Sequence, residues 1–463
     1  MAVLDHVETS LRSWPRNPCF IELRPKRIPK TITADQLLSR IETFSKKLET
    51  WGIQKGCLVA IFLDNSIDFV ITFLGLLNLE AVPVLAKMEY RRLELEEIFS
   101  NASPRAVIAE SNHLKYLKDY VSGRTVILHE ENNFQIVQRS NQMAQTESIS
   151  SQIASINYTY RGYGYPIGAM IPQEQYIQGA KGFQECLLSN PGDKVLALLP
   201  MQHIYTLISA IFFPLLNRLT SIVVRTMHPR LIFEYINRYK INFVTTVPEI
   251  FSMLCRLSDQ SSPIATEVFV SGGSVLTTDA YHRIREGFGV EILNGYGLTE
   301  YTPATGSIRG STKAGTIGRP CCGTKIRIND ANANGVGEIY INSRHMSREY
   351  YLRPKETEDA YSGEWLKTGD LGKALGDHFV FIGEKKRTRK VNGNIVDLEE
   401  VKRALLQHQN INDTEVSGES NAIKARITLK KPSKDFRRDW LSIKASLKDT
   451  IAEYKIPTII ENV

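Results

Sequence analysis

Within Asn294-Gly295-Tyr296-Gly297-Leu298-Thr299-Glu300 lie two glycines, an aromatic ring, a hydroxyl and a carboxylate, and Leu366-Lys367-Thr368-Gly369-Asp370 adds a second carboxylate about seventy residues later. These residue types are what holding a nucleoside monophosphate requires. The glycines let the backbone approach a ligand closely, Tyr296 can stack on a base, and Thr299 can donate to a phosphate. Glu300 can hold Mg²⁺, and Asp370 can accept from ribose hydroxyls. Taken alone, the first segment reads equally well as an Asn-Gly turn after a strand. The second segment shifts the balance toward a ligand site.

Such residues need a scaffold, and the chain is patterned to supply one. From about residue 33 to residue 300, helix-like stretches alternate with short apolar runs, as where Asp35 to Trp51 is followed by Leu58 to Leu63. This alternation predicts an α/β fold, with mixed or parallel sheets flanked by helices. Between about Gly315 and Ile382 the pattern changes to short strands and turns, including KIRINDANANGVGEIYI and HFVFIG, which predicts a small β subdomain. Gly383 opens EKKRTRK, a charged run with no buried face and the best candidate linker. The expected division is therefore a large domain over 1–382 and a small, mobile α+β domain over 383–463, with no internal repeat.

Length and composition narrow the function classes. A chain of 463 residues is too long for one core, and 42% apolar residues suit a globular enzyme. Phe69 to Leu77 and Ile204 to Leu216 are too short to span a bilayer and read as buried helices. No secretory signal is visible in MAVLDHVETSLRSW. Six scattered cysteines, with Cys321-Cys322 adjacent but no CxxC spacing, suggest reduced thiols in a cytoplasmic protein. The net charge is +7, and residues 383–463 hold 17 basic side chains against 12 acidic ones. A basic terminal module suits an anionic partner, and no aromatic-interleaved basic stripe argues for nucleic acid.

Several further segments occur in order with the two opening blocks: TADQLLSRIETFSKKLETWGIQKGCLVAIFLDNSIDFV, LLPMQHIYTL from Leu198, VSGGSVLT from Val270, GTIGRP from Gly315, GEIYINS from Gly337 and KVNGNIVDLEEVKRAL from Lys390. Together they resemble the acyl-adenylate-forming superfamily, which comprises acyl-CoA synthetases, carrier-protein ligases, luciferases and peptide-synthetase adenylation domains. The resemblance covers nearly the whole chain. It implies two half-reactions in one site: a carboxylate attacks the α-phosphate of ATP to give acyl-AMP and pyrophosphate, and a thiol or amine then displaces AMP. The small C-terminal domain rotates between the two steps.

The resemblance also implies roles for individual residues. Tyr296, with Asn294, Gly295 and Gly297, would face adenine, and Gly272 and Gly273 would line the nucleotide. Thr299 would touch the α-phosphate, Glu300 would bind Mg²⁺, and Asp370 would hold the ribose. His203, Val247, Gly272 and Gly297 would border the acyl pocket, and Lys386 would be the hinge. Lys390 and Gly393 would lie in the loop that enters the site for thioester formation. ATP and Mg²⁺ are the implied cofactors, with CoA or an acyl or peptidyl carrier protein as partner.

Three departures stand out. The family phosphate loop reads roughly YTSGTTGxPKG, whereas this chain has Tyr158-Thr159-Tyr160-Arg161-Gly162-Tyr163-Gly164-Tyr165-Pro166-Ile167-Gly168. Thr159, Gly162 and Gly164 remain as nucleotide-binding candidates, and Arg161 is the substitute cation. A phosphate-cradling loop works through backbone N–H groups, small hydroxyls and positive charge. The sequence closes on EYKIPTIIENV before any lysine matching the family's adenylation lysine, so the C-terminal domain reads as shortened. Gly383-Glu384 stands where the family has Gly-Arg. Two of these losses fall on the ATP half-reaction, where each positioned donor contributes about 3–4 kcal/mol.

The expected function is an adenylate-forming ligase. No aspartate sits in Gln202-His203-Ile204-Tyr205, which favours a fatty or aryl acid over an amino acid, because an unpaired ammonium in an apolar pocket is costly. The alternatives are a specialist in the acyl-AMP half-reaction and a non-catalytic nucleotide- or carrier-binding module.

Overall fold

The computed structural model describes the chain except for residues 1, 131–132, 141–148, 257–263, 386–387, 420, 432–434 and 463. It is α/β, as the alternation predicts. Among the described residues, one seven-stranded sheet runs Asn133–Gln138, Thr125–Glu130, Ala106–Glu110, Leu58–Phe62, Val82–Leu85, Ile153–Tyr160 and Pro166–Pro172. A nine-stranded sheet contains the parallel series Glu291–Leu298, Val268–Ser271, Phe243–Thr246, Lys194–Ala197 and Thr220–Val224, extended at its first edge by antiparallel Tyr301–Gly306. A smaller antiparallel sheet contains Lys325–Asn329, Gly337–Asn342, Trp365–Leu375 and His378–Glu384. The described residues between 388 and 462 include the hairpin Thr388–Val391/Asn394–Asp397, a three-stranded sheet and the helices Leu398–Leu406 and Phe436–Thr450.

Local chemistry accounts for the principal elements. Ala34–Thr50 begins at a capping box, in which the Gln36 amide donates to Thr33 Oγ1 and the Thr33 amide donates to the Gln36 side chain. Its buried face includes Leu37, Ile41, Phe44 and Leu48, at helical spacing. Ile67–Asn78 is capped by Ser66, whose Oγ accepts from the Phe69 amide at 3.0 Å, and it lies between the two large sheets as an apolar helix. The run from Ile204 to Asn217 is a buried helix, as expected, but its middle, Leu207–Phe212, is π-helical. No helix among the described residues is long and apolar enough to cross a membrane.

Asn294-Gly295 forms no turn: Glu291–Leu298 continues through it as a strand, paired with Val268–Ser271 and then with Tyr301–Gly306. Asn392-Gly393 is the true two-residue turn, with φ of +48° and +79°, and it closes the hairpin that precedes the helix Leu398–Leu406.

Candidate functional site

One large cavity opens where the parallel strands Lys194–Ala197, Phe243–Thr246, Val268–Ser271 and Glu291–Leu298 end, the usual location for a ligand in an open α/β sheet. The chain segments leaving three of those strands contribute to the wall. Gln202, His203 and Tyr205 come from the first; Gly272 and Gly273 follow the third; and Gly295 to Glu300 come from the last. Thr159 and Arg161 enter from the seven-stranded sheet, Asp370 from the small sheet, and Lys390 and Gly393 from the C-terminal hairpin.

At one end Tyr296 is buried, with its ring 6.4 Å from that of Phe381, and its hydroxyl donates to Asp370 Oδ2 at 2.6 Å. Burial, reinforced by the Asp370 carboxylate, raises the Tyr296 hydroxyl well above the usual tyrosine range and keeps it a donor. A second recess joins Gly273, Asn294, Gly295, Tyr296, Gly297, Phe381 and Lys390. The Lys390 ammonium lies 5.7 Å from the Phe381 ring centre. Asn294 is turned inward, donating from Nδ2 to the Thr316 carbonyl at 2.8 Å. Thr299 borders the cavity, and its carbonyl accepts from Gln175 Nε2 at 3.3 Å.

The glycines have packing reasons of their own. A Cβ on Gly272 would come within 2.9 Å of the Tyr205 ring, and one on Gly297 within 2.8 Å of Thr302 Cβ. Gly393 needs its positive φ for the turn, and a Cβ there would approach Val247 Cγ1 at 3.1 Å. Val247 therefore packs against the hairpin turn and lies outside the cavity lining, not on the acyl wall as expected. The side of the cavity around His203 is bordered by Phe183, Cys186, Tyr205, Leu293 and Thr305. Burial, with Lys87 and Lys390 nearby, depresses the His203 imidazole to about 3, so it is neutral at physiological pH.

The phosphate-loop candidates separate into two groups. Thr159 and Arg161 reach the cavity, whereas Gly162 and Gly164 are absent from its lining. The Gly164 amide donates to Asp397 Oδ2 at 2.8 Å, and its carbonyl accepts from Arg403 at 2.7 Å. The loop backbone is thus engaged by the segment that begins the helix Leu398–Leu406. Tyr160 also borders the cavity, and its hydroxyl donates to Glu400 Oε1. Lys386, the expected hinge, falls outside the described residues.

Glu300 does not fit the expected metal. Its side chain is 1% exposed, Oε1 accepts from the Tyr350 hydroxyl, and Arg161 Nε stands 3.4 Å from that oxygen. Arg161 is anchored by Nη1 to the Thr368 carbonyl at 3.2 Å and by Nη2 to the Lys367 carbonyl at 2.5 Å. Burial works against its charge, but Tyr350 and Glu300 outweigh it and hold the guanidinium protonated. A fixed monovalent cation already occupies the position facing Glu300.

Sequence reasoning missed four participants. Tyr350, which donates to Glu300, carries no local signal because 50 residues separate it from its partner. Lys87 borders the cavity, donates to Asn394 Oδ1 at 3.0 Å, and is lowered to about 8 by burial, with Glu89 opposing and Lys455 assisting. Lys455 is fully buried and donates to Glu94 Oε1 and Glu400 Oε2, each at 2.7 Å, and to the Tyr160 hydroxyl at 2.8 Å. Glu94, the fourth, also accepts from the Ala452 amide at 3.2 Å. A lysine enclosed by Tyr454, Ile456 and Pro457 was the available hint of burial.

Comparison with known proteins identifies the family and the fold. A family model described as AMP-binding enzyme matches residues 7–351. The chain is 27% identical to a malonate–CoA ligase of Arabidopsis thaliana, over 89% of this chain and 76% of that protein. It is 25% identical to a benzoate–CoA ligase of Thauera aromatica, over 93% and 86%. Among solved structures, an o-succinylbenzoate CoA synthetase of Bacillus subtilis superposes with a TM-score of 0.85 at 19% identity, covering 99% of this chain and 94% of that one. An amide bond synthetase of Marinactinospora thermotolerans gives 0.85 at 17%, covering 100% and 96%.

Proposed function

Because the chain belongs to the AMP-binding enzyme family, we propose that it is an adenylate-forming ligase that activates a carboxylic acid as acyl-AMP and passes the acyl group to a thiol. One observation carries the reading: the Tyr296–Asp370 end, the apolar wall at His203 and Tyr205, and the hairpin bearing Lys390 and Gly393 all open into the same cavity. Adenylate, acyl group and incoming thiol can meet there without the intermediate leaving.

The cavity's lining carboxylates, Glu300, Asp370 and Glu384, come from the segments that would face the nucleotide, and the acyl side is built of Phe183, Tyr205, Leu293 and neutral His203. This supports an uncharged fatty or aryl acid, because an ammonium there would find no partner. The acceptor proposed is the thiol of CoA or of a carrier protein, consistent with the ligases named above, and the compartment proposed is the cytoplasm. Asp370 would hold the ribose, Tyr296 would flank the base, and Thr299 would face the α-phosphate. Lys390 and Gly393 would border the thiol's path. Residues 383–463 would act as a module whose departure frees the Gly164 amide from Asp397 for ATP.

A second reading, specialisation in the acyl-AMP half-reaction, is favoured by that same Asp397–Gly164 bond, which engages the loop a triphosphate would need. ATP–pyrophosphate exchange with a panel of fatty, aryl and amino acids tests the first reading, with acyl-AMP plus a pantetheine thiol run in parallel. Exchange with one acid class establishes the complete ligase, thioester formation without exchange establishes the specialist, and silence in both refutes the two.

A further inference from the structure

We propose that Arg161 is the fixed cation of this site, standing against Glu300 where a divalent ion would be held, so that the protein itself neutralises the phosphate of a bound adenylate. The inference rests on the adenylate-forming reading of the cavity. Arg161 is a charged side chain only 4% exposed, and its two terminal nitrogens are committed to the Lys367 and Thr368 carbonyls, on the strand that carries Asp370. Those bonds fix the plane of the guanidinium.

The third donor is left over. Arg161 Nε lies 3.4 Å from Glu300 Oε1 but makes no hydrogen bond among the described residues. Asn157 Nδ2, four residues earlier and bordering the same cavity, is a second buried donor without a partner. A buried donor left unmatched is destabilising, so two on one wall point to an acceptor-rich ligand group. Both are donors and one is cationic, which fits a phosphate or acyl-phosphate oxygen. Arg161 cannot shed its charge, and its planar fork suits phosphate. A divalent ion on Glu300 would sit beside that permanent charge in a poorly solvated pocket, a like-charge arrangement that grows costlier as solvent is excluded. Glu300, paired with Arg161 and the Tyr350 hydroxyl, orients the cation.

The test is calorimetric titration of the full chain with MnCl₂ alone, and with AMP in the presence of either Mn²⁺ or EDTA. The wild-type protein is expected to show no Mn²⁺ site in the absence of nucleotide, and AMP affinity that changes less than twofold between Mn²⁺ and EDTA. R161A is expected to weaken AMP at least tenfold in EDTA and to regain part of that with Mn²⁺. R161K, which keeps the charge but loses the fork, should weaken AMP while remaining insensitive to the metal. If R161A does not fold, R161A/E300Q, which removes both members of the pair, should bind AMP at least tenfold more weakly than wild type.

A wild-type Mn²⁺ site abolished by E300Q, AMP affinity lost in EDTA, or wild-type affinity in R161A/E300Q would each overturn the proposal. Failure of the wild-type chain to bind AMP under every condition would refute the adenylate reading, and the Mn²⁺ titration would still decide whether Glu300 is a metal ligand.

Discussion

Replacing Lys455 with methionine probes one of several contacts between residues 388–462 and the rest of the chain. Lys455 has no exposed surface and binds Glu94, Glu400 and the Tyr160 hydroxyl. Burial pulls its pKa down, but the Glu400 and Glu94 carboxylates outweigh that and raise it, so the ammonium stays charged. Lys455→Met fills similar volume while leaving both carboxylates without their cation. Breaking a buried ion pair from one side costs about 3–5 kcal/mol. If that cost falls on docking, at about 1.4 kcal/mol per tenfold the undocked population rises from roughly 10²-fold to roughly 4 × 10³-fold. Hydrogen exchange at the Gly164 and Ala452 amides reads this directly, because each donates across the contact, to Asp397 and Glu94 respectively. Lys46→Ala, which breaks an exposed pair with Glu42, is the control and should leave protection at both amides unchanged. Unchanged protection at both amides in Lys455→Met would refute the reasoning. An equal loss of protection throughout the nine-stranded sheet would show that the cluster stabilises the whole fold rather than the docking.

Three other outcomes are expected. Burial raises Glu400 to about 7 from 4.5, partly offset by Lys455. The native state therefore binds the extra proton, and stability of the docked arrangement falls as pH rises from about 4.5 to about 7. Chemical denaturation followed across that window checks the sign, and Glu400→Gln should flatten the profile. Gly297→Ala forces a methyl against Thr302 and should destabilise the protein by about 1–3 kcal/mol while weakening AMP binding, measured by thermal unfolding and calorimetry. Asp370→Asn removes a charged acceptor and should weaken AMP by about tenfold or more, since hydrogen bonds to charged groups contribute about 1.5–3 kcal/mol; unchanged affinity would remove Asp370 from the ribose site.

The chain's own order of residues determined the fold class and much of the cavity wall. Helical spacing at Leu37, Ile41, Phe44 and Leu48, the capped start at Thr33 and the apolar strand runs are local properties, so they could be read without the fold. Tyr296, Thr299, Asp370, His203 and Lys390 were legible because each sits in a short segment with a family likeness, and all five border one cavity. Val247 and the glycines of the phosphate loop were misplaced because spacing along a strand or loop says nothing about what docks on it; here the neighbours are the hairpin turn and Asp397.

Only the tertiary structure decided the electrostatics. Arg161 and Glu300 are 139 positions apart, and Glu94 and Lys455 are 361 apart. Nothing local to Glu300 tells a metal ligand from a carboxylate paired with arginine, and nothing local to Lys455 tells a solvated tail lysine from a buried one. A charge takes its role from how much water is excluded around it and which opposite charge remains, and both are set only when distant strands and helices close over it.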